Sequence, residues 1–308
     1  MAMKVAEESL SACSGCEIAI LNMGDALVEL LGQMEFVHMP ILFDHKYFGQ
    51  LGQNQKMEMP EADLGIITGA VANEEHLRVL QKMRTRCDVL MAIGTCATHG
   101  GIPALLNSWS TEEAMETIFS TSTTDLGSSL PYQGLPPLLD RVYAVDEKVR
   151  VDVLMPGCPP NPEHIAEVLA CLLKGDRPLL PEKSVCDTCP TIRKGKGKVK
   201  MVRRFLENAQ YDPEEPIEKM ECLLEQGFMC MGPVTAAGCA TNGVPRCISA
   251  RVPCRGCFGP VRPGGNQMLD MMNALASNGI DWKTIVDRRS LLRFSGAHGL
   301  LKPLGQRS

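Results

Sequence analysis

The sequence predicts an α/β protein in which a doubly wound parallel sheet is followed by a smaller, irregular, cysteine-rich domain. Over residues 1–178, short apolar runs of strand length alternate with longer runs of helical periodicity, as in a parallel sheet covered on both faces. Over residues 179–262 this periodicity fades, and closely spaced cysteines among Gly and Pro residues replace it. Residues 263–308 are predicted to form a helical C-terminal extension.

The first half of the sheet domain is the less regular half. Lys4–Leu10 is more polar than the first strand of such a sheet should be. Apolar residues at helical spacing predict a helix over Ile18–Leu31. A short apolar stretch follows at Phe36–Phe43, and Leu64–Ile67 has the length and composition of a buried strand.

The second half follows the alternating pattern closely. Glu74–Arg86 is predicted as a helix with one apolar side, and Val89–Ile93 and Val151–Met155 as buried strands. Pro162–Lys174 begins with Pro and an acidic residue and stops before a glycine, which are the start and stop signals of a helix.

Cysteine is the most informative residue type, because twelve of the fourteen cysteines fall into three groups of four. Cys96 and Cys158 each follow a predicted strand, and Cys13 and Cys16 form a C-x-x-C pair. Parallel strands place their sites at their carboxyl ends, so these four thiols are expected to converge. Four thiolates suit a cubane iron–sulfur cluster or a zinc ion. The alternative for Cys96 and Cys158 is that both are small core residues.

The other eight cysteines lie in the last third of the chain, where few residues can build a core. Such a segment would depend on metal for a fixed shape. Two zinc sites are the alternative here to two iron–sulfur clusters. Three four-thiolate sites in one chain favour electron transfer. These eight residues are Cys186, Cys189, Cys222, Cys230, Cys239, Cys247, Cys254 and Cys257.

Composition argues against several other functions. A net charge of −5 gives no field that favours nucleic acid. The basic run Arg193–Arg204 is interpreted as a solvated loop or helix face, and docking of an acidic redox partner is the alternative. Nucleic-acid binding is disfavoured because interleaved aromatic residues are absent. No stretch approaches the ~18 apolar residues that a membrane helix needs. The first ten residues have no apolar core of a secretory signal, so we expect a cytoplasmic protein whose paired cysteines are ligands rather than disulfides.

Taken in order, the cysteine motifs resemble those of the small subunit of nickel–iron hydrogenases. The resemblance covers residues 10 to 262 and is greatest to the cytoplasmic methyl-viologen-reducing, coenzyme F420-non-reducing type, which is associated with heterodisulfide reductase. The motifs are Cys13-Ser-Gly-Cys16, Gly94-Thr-Cys96, Pro156-Gly-Cys158-Pro-Pro, Cys222-Leu-Leu-Glu-Gln-Gly-Phe-Met-Cys230, Cys239, Cys247 and Pro253-Cys254-Arg-Gly-Cys257.

The resemblance implies a flavodoxin-like sheet domain, no nickel–iron centre in this chain, and three 4Fe–4S clusters. Cys186 stands where exported relatives usually have a histidine, and Cys247 where they often have a proline, so all ligands are expected to be cysteine. Cys87 and Cys171 are left as core residues. The implied ligands are Cys13, Cys16, Cys96 and Cys158 (proximal); Cys239, Cys247, Cys254 and Cys257 (medial); Cys186, Cys189, Cys222 and Cys230 (distal).

The same resemblance implies the partners: a large subunit that holds the nickel–iron centre, a ferredoxin-like delta subunit, and a flavin-containing heterodisulfide reductase complex. The small subunit of a deazaflavin-reducing hydrogenase is an alternative within the family. A zinc-stabilised scaffold is an alternative from another class. A quinone-reductase subunit would share only the first domain and one cluster, and the eight later cysteines argue against it.

Overall fold

The computed structural model describes residues 2–44, 46–49, 51–124, 134–178, 182–195, 201–203, 206–241, 243–285 and 288–303. The chain forms two compact units, Met1–Pro178 with Ser295–Ser308, and Leu179–Phe294. The stretch predicted as a helical extension over 263–308 is therefore divided between the two units.

The helices and strands alternate through the first unit and become short in the second. In chain order they are β1 (Met3–Ser9), α1 (Gly15–Leu21), α2 (Asp25–Leu31), β2 (Met34–His38), β3 (Ala62–Thr68), β4 (Val71–Asn73), α3 (Glu74–Arg86), β5 (Cys87–Ile93), α4 (Thr95–His99), α5 (Thr111–Phe119), β6 (Leu138–Tyr143), β7 (Val153–Met155), α6 (Pro162–Leu173), β8 (Ala240–Thr241), β9 (Val244–Pro245), α7 (Arg246–Ser249) and α8 (Gln267–Ser277). Short 3-10 turns lie at Pro103–Ser108, Val145–Glu147, Val185–Asp187, Ile217–Lys219, Gly232–Val234, Trp282–Thr284 and Arg288–Leu292.

Within the described ranges, the central sheet has five strands in the order β2-β1-β3-β5-β7. All of its pairings are parallel. Counted within the sheet alone, this is the 2-1-3-4-5 order of flavodoxin-like folds. The predicted doubly wound sheet is confirmed.

Apolar side chains on alternate strand positions build a core on each face of the sheet. On one face, Val5, Leu64 and Met91 are buried together with residues of α1, α2 and α6. On the other face, Leu80 and Met83 of α3 pack in a second buried cluster. Because the sheet is covered on both faces, its central strands β3 and β5 are apolar almost throughout.

The polar first strand, β1, is an inner strand of the sheet, and its two carboxylates are buried. Glu8 Oε2 lies 2.8 Å from His38 Nε2 and accepts a hydrogen bond from the Tyr47 hydroxyl. Burial, followed by the neighbouring Glu17 and Glu8, raises the pKa of Glu7 to about 9. Glu7 is therefore neutral at pH 7, and the strand can lie inside the sheet in spite of its sequence.

The helix predicted over Ile18–Leu31 is two helices. The chain leaves helical geometry after Leu21, and Gly24 has a φ of 61°. The apolar periodicity continues across this break because α1 and α2 both pack against the same face of the sheet. Periodicity alone does not show such an interruption.

The second unit has an apolar core of its own, part of which comes from beyond the cysteine-rich segment. Met271 and Leu275 of α8 are fully buried and pack with Met231 and Val234, which follow Cys230. A second cluster surrounds Phe228. The helix predicted only as part of an extension therefore supports the chain that carries the last eight cysteines.

No helix of the described segments is long and apolar enough to cross a membrane.

Replacing Asp152 by Asn should destabilise the first unit. Asp152 Oδ2 accepts hydrogen bonds from Leu90 N at 2.9 Å and from Arg84 Nη1 at 2.6 Å. Burial acts to raise the pKa of Asp152, but these two donors outweigh it and hold that pKa below its usual range. We expect a loss of about 1 kcal/mol in the free energy of unfolding, because hydrogen bonds to a charged group count for more than neutral ones and partial exposure reduces the gain.

Because the pKa of Asp152 is lower in the folded protein, the contribution of Asp152 to stability is complete above its unfolded-state pKa of about 4. The contribution is lost as the pH falls through the lower pKa of the folded protein. Urea unfolding at pH 7 and at pH 3 measures it: the two proteins should differ at pH 7 and converge in acid. Glu61→Gln removes an exposed pair with Arg86 and is the matched control. Equal destabilisation by both variants would contradict the assignment.

Candidate metal centres

The fold brings the first cysteine group to the carboxyl edge of the sheet. Cys13 lies in the loop after β1, and Cys16 is the second residue of α1. Cys96 is the second residue of α4, directly after β5, and Cys158 follows β7. Parallel strands all end at this edge, so positions far apart in sequence become neighbours.

Backbone hydrogen bonds join the two loops that carry Cys96 and Cys158. Thr95 N donates to Gly157 O at 2.8 Å, and Gly157 N donates to Thr95 Oγ1 at 3.0 Å. Gly94 N donates to Met155 O at 2.8 Å. The relative position of these two thiols is therefore fixed by the protein itself.

A glycine is required at two positions beside this group. Gly94 has a φ of 85°, and a Cβ there would collide with Cys16 Sγ. Gly101 has a φ of 51°, and a Cβ there would lie 2.6 Å from Cys96 Sγ. Both left-handed conformations are strained for other residues, and both side-chain positions are already filled by sulfur.

The four thiols of this group are close enough to influence one another's ionisation. Burial raises the pKa of Cys16, and Glu17 and the thiols of Cys96, Cys158 and Cys13 raise it further. Burial and Cys158 likewise raise the pKa of Cys96 to about 11. Without a bound cation, burial and the neighbouring negative charges both oppose thiolate formation at Cys16 and Cys96.

Glu17 anchors the start of α1. The Thr68 hydroxyl at the end of β3 donates to Glu17 Oε1, and both residues are buried. Because Glu17 directly follows Cys16, this bond holds the helix that carries the thiol against the sheet. No sequence pattern signals this pair, whose members lie 51 positions apart.

The second cysteine group lies in the second unit and is held by a short ladder of backbone bonds. Ile192 N donates to Met220 O at 2.9 Å, and Cys222 N donates to Ile192 O at 2.8 Å. This ladder joins the Cys186–Cys189 segment to the Cys222–Cys230 segment. Gly232 lies close to one thiol of each segment, since a Cβ there would be 3.1 Å from Cys186 Sγ and 3.5 Å from Cys230 Sγ.

Burial and mutual repulsion act on this group as they do on the first. Burial raises the pKa of Cys186 to about 12, and the thiols of Cys230, Cys222 and Cys189 contribute to the rise. Burial also raises the pKa of Cys230 to about 12, although the backbone N–H groups of Gly232 and Cys254 donate to its sulfur and oppose the change. Such N–H donors favour a charged sulfur and are among the features that set iron–sulfur potentials.

The third group is coupled both internally and to the second group. Burial raises the pKa of Cys254, and the thiols of Cys230, Cys247 and Cys257 raise it further. Burial and Cys247 raise the pKa of Cys239. The two groups are joined by a direct bond, in which Cys254 N donates to Cys230 Sγ at 3.3 Å.

Across the described ranges, no three His, Cys, Asp or Glu side chains converge tightly enough to hold one metal ion. In a cubane cluster each cysteine binds a different iron, so the four sulfurs stand further apart than around a single ion. Burial, N–H donors and the four-thiol sets are features that fit clusters of this kind.

The remaining sequence-based assignments have mixed outcomes. Cys87 is a buried core residue, as predicted, whereas Cys171 is half-buried on α6. Within the basic run, Lys194 Nζ pairs with Glu221 Oε2 at 2.7 Å, and Arg203 stands over the Phe228 ring at 4.6 Å. The run is thus partly built into the second unit rather than wholly solvated. Its members Lys196, Lys198, Lys200 and Arg204 lie outside the described residues.

Comparison with known proteins identifies the family. Residues 13–172 match the family model of the 20 kDa subunit of NADH ubiquinone oxidoreductase. A vhu-type F420-non-reducing hydrogenase subunit from Methanocaldococcus jannaschii is 36% identical over 95% of this chain and 94% of its own. Its namesake from Methanococcus voltae is 37% identical over 92% of this chain and 91% of its own. This chain belongs to the nickel–iron hydrogenase small-subunit family.

A solved structure supports the same assignment. The chain is similar to a chain of an NAD+-reducing nickel–iron hydrogenase in its H2-reduced state, with 33% identity and a TM-score of 0.53. That similarity covers 59% of this chain and 96% of the other. The small subunit is therefore an electron-transfer component of an oxidoreductase, of the F420-non-reducing type by its whole-chain relatives.

Replacing Gly94 by Ala should impair metal loading of the first group. The added Cβ would collide with Cys16 Sγ, so the thiol must move from its place beside Cys96. We expect anaerobically purified variant to lose about a third of its iron, from ~12 to ~8 per chain, if each group holds a four-iron cluster.

Gly175→Ala is the matched control for this substitution. Gly175 also has a positive φ, 77°, but no atom lies within 4 Å of its added Cβ. Both variants carry the backbone strain of about 1–2 kcal/mol, but only Gly94→Ala displaces a thiol. Equal iron contents in the two variants would refute the prediction.

Proposed function

We propose that this chain conducts electrons through three 4Fe–4S clusters, from hydrogen oxidation on a large subunit towards a further redox subunit, in the cytoplasm. The observation that carries the proposal is the presence of three groups of four cysteines, in each of which burial and neighbouring thiols raise the pKa of at least two members. A group of this kind is stabilised by a polynuclear cation that takes the place of four protons. Three such groups form a relay rather than one reactive site.

The ligand assignment follows the three groups. Cys13, Cys16, Cys96 and Cys158 would hold the proximal cluster, Cys239, Cys247, Cys254 and Cys257 the medial cluster, and Cys186, Cys189, Cys222 and Cys230 the distal cluster. The influence of the thiols on one another's pKa values supports each set, and Cys254 of the medial set is also influenced by Cys230 of the distal set.

The chain's own residues contribute position, shielding and hydrogen bonds. When bound, the clusters supply reversible one-electron chemistry. The thiols would hold the iron, Gly94 and Gly232 leave room for the sulfurs, and backbone N–H groups would stabilise the charge on them. The bond from Cys254 N to Cys230 Sγ brings two ligand sets close together, which favours transfer between them because tunnelling weakens steeply with distance.

The partners we propose are a large subunit with the nickel–iron centre, a ferredoxin-like delta subunit and a flavin-containing heterodisulfide reductase complex. The names of the whole-chain relatives, which are F420-non-reducing hydrogenase subunits, support a hydrogenase large subunit as partner. The delta subunit and the reductase complex are proposed from the resemblance of the cysteine motifs alone. The same names favour this interpretation over the deazaflavin-reducing alternative.

Metal and sulfide analysis of anaerobically purified protein tests the cofactor. Three cubane clusters require about twelve irons with equal sulfide per chain. Iron and sulfide near this value, with little zinc, would support the proposal. About two zinc ions per chain with no iron would instead establish a zinc-stabilised scaffold.

Activity and co-purification test the subunit role. The isolated, cluster-loaded chain should not oxidise hydrogen, whereas the complex purified through this chain should reduce methyl viologen with hydrogen. Hydrogen oxidation by the isolated chain would overturn the assignment of the nickel–iron centre to a partner. A co-purifying subunit that reduces a deazaflavin would select the alternative within the family.

A further inference from the structure

A segment near the end of the chain, Ser295–Leu301, returns to the first unit, and we call it the C-terminal strap. Leu300 N donates to Ala297 O at 3.1 Å, and Leu301 N donates to Gly296 O at 3.3 Å, so the strap is a tight turn. Ala297 and Leu301 are buried. The strap is therefore packed into the first unit and is not a loose chain end.

The strap packs directly on α4, the helix that carries Cys96. Ala297 N donates to the carbonyl oxygen of His99, the last residue of α4, at 3.2 Å. The next residue, Gly100, has a φ of 83°, and a Cβ added to it would lie 2.7 Å from Ala297 Cβ. Only a glycine there lets the strap come so close to the end of the helix.

The segment that the strap contacts also lies against Cys96. Gly100 N donates to Cys96 O at 3.0 Å. A Cβ added to Gly101 would lie 2.6 Å from Cys96 Sγ. Two successive glycines therefore connect the strap with a proposed metal ligand, since Gly100 lies against the strap and Gly101 lies against the thiol.

Two further contacts hold the strap in place. Asn107 Nδ2 donates to Gly296 O at 3.4 Å and to Val142 O of β6 at 2.9 Å. His298 Nε2 lies 2.9 Å from Asp146 Oδ1. The strap is thus fixed by a buried amide and by a partly exposed pair of side chains.

A bound cluster is retained only while its ligands keep their positions, and the residues behind a ligand determine how well they do. If the strap leaves α4, the segment that follows Cys96 loses its contact with Ala297. Local opening of this kind requires less free energy than unfolding of the whole unit. It would release one ligand of the first group without disturbing the sheet.

We propose that the C-terminal strap is a positioning element of the first metal centre, whose contact with His99 and Gly100 holds Cys96 where it can bind iron. The inference rests on the proposed function, because it requires a cluster in the first group. Retention of that cluster then depends on residues that follow all eight cysteines of the second unit in the sequence.

One substitution moves the strap, and a matched one does not. Ala297→Leu introduces a larger side chain where a fully buried methyl group already meets Gly100, so the strap must shift. Ala62→Leu makes the same change at another buried alanine of the first unit. Ala62 is the first residue of β3 and so lies at the amino edge of the sheet, opposite the cysteines. Both variants overpack the unit, but only the first acts on α4.

A milder pair of substitutions covers the case in which Ala297→Leu does not fold. His298 has a φ of 54°, which Asn tolerates, and the shorter side chain of His298→Asn gives up the bond to Asp146. Asp146→Asn removes the charge from the other partner. Both side chains are partly exposed, so neither change should unfold the unit. The double variant tests whether the two residues act through one contact.

The experiment uses the anaerobically purified hydrogenase complex. Iron is measured per chain, and thiols are alkylated and then located by mass spectrometry, because a thiol that binds iron is protected. We expect Ala297→Leu to lose about a third of its iron, from ~12 to ~8 per chain. Ala62→Leu should keep its iron, and the eight cysteines of the second unit should stay protected in both variants. The thiols newly alkylated in Ala297→Leu should be Cys13, Cys16, Cys96 and Cys158.

The milder variants are compared by the rate at which a chelator removes iron and exposes the first four thiols. Each single variant should increase this rate by about two- to fivefold, as expected for a partly exposed pair. The double variant should increase it no more than either single variant does. The rate at which the thiols of the second unit are exposed should not change.

Ala297→Leu decides the question if it folds, and the milder variants decide it if it does not. Full iron in Ala297→Leu, or equal losses in Ala297→Leu and Ala62→Leu, would overturn the inference. Unchanged release rates in His298→Asn and Asp146→Asn, or equal increases for all three groups, would do the same. Wild-type complex in which the first four thiols are already alkylated would refute the proposed function itself, and that result precedes any comparison of variants.

Discussion

The structure depends on the cost of placing several buried thiols close together. Burial raises the pKa values of Cys16 and Cys186, and neighbouring thiols raise them further, so thiolates are unfavourable there without a compensating cation. At Cys230 the backbone N–H groups of Gly232 and Cys254 reduce this cost. In the proposed holoprotein, cluster binding would therefore contribute to stability as well as to function.

The two units meet this constraint in different ways. In the first, regular secondary structure does most of the positioning: parallel strands end at one edge, and the bonds between Thr95 and Gly157 lock two of the loops. In the second, short turns bring backbone N–H groups to sulfur, as at Cys230. Irregular chain suits this purpose because its N–H groups are not already used in helices or sheets.

Apolar packing keeps the irregular unit in place. Met271 and Leu275 of α8 are fully buried against residues that follow Cys230. A segment of Gly, Pro and Cys has little apolar surface of its own, so a helix from later in the chain supplies it. The polar strand β1 poses the opposite problem, which is solved by a neutral Glu7 and by the bond between Glu8 and His38.

The sequence by itself determined the doubly wound sheet and the cysteines that end its strands, because apolar periodicity and Cys spacing are local properties of the chain. It also indicated the family, through the order of the motifs. Only the tertiary structure decided that Glu17 meets Thr68, that Arg193 meets Cys186 and that Cys254 donates to Cys230. Apolar periodicity does not relate the residues that these contacts join. A backbone N–H donor cannot be predicted from the sequence either, because nearly every residue carries one.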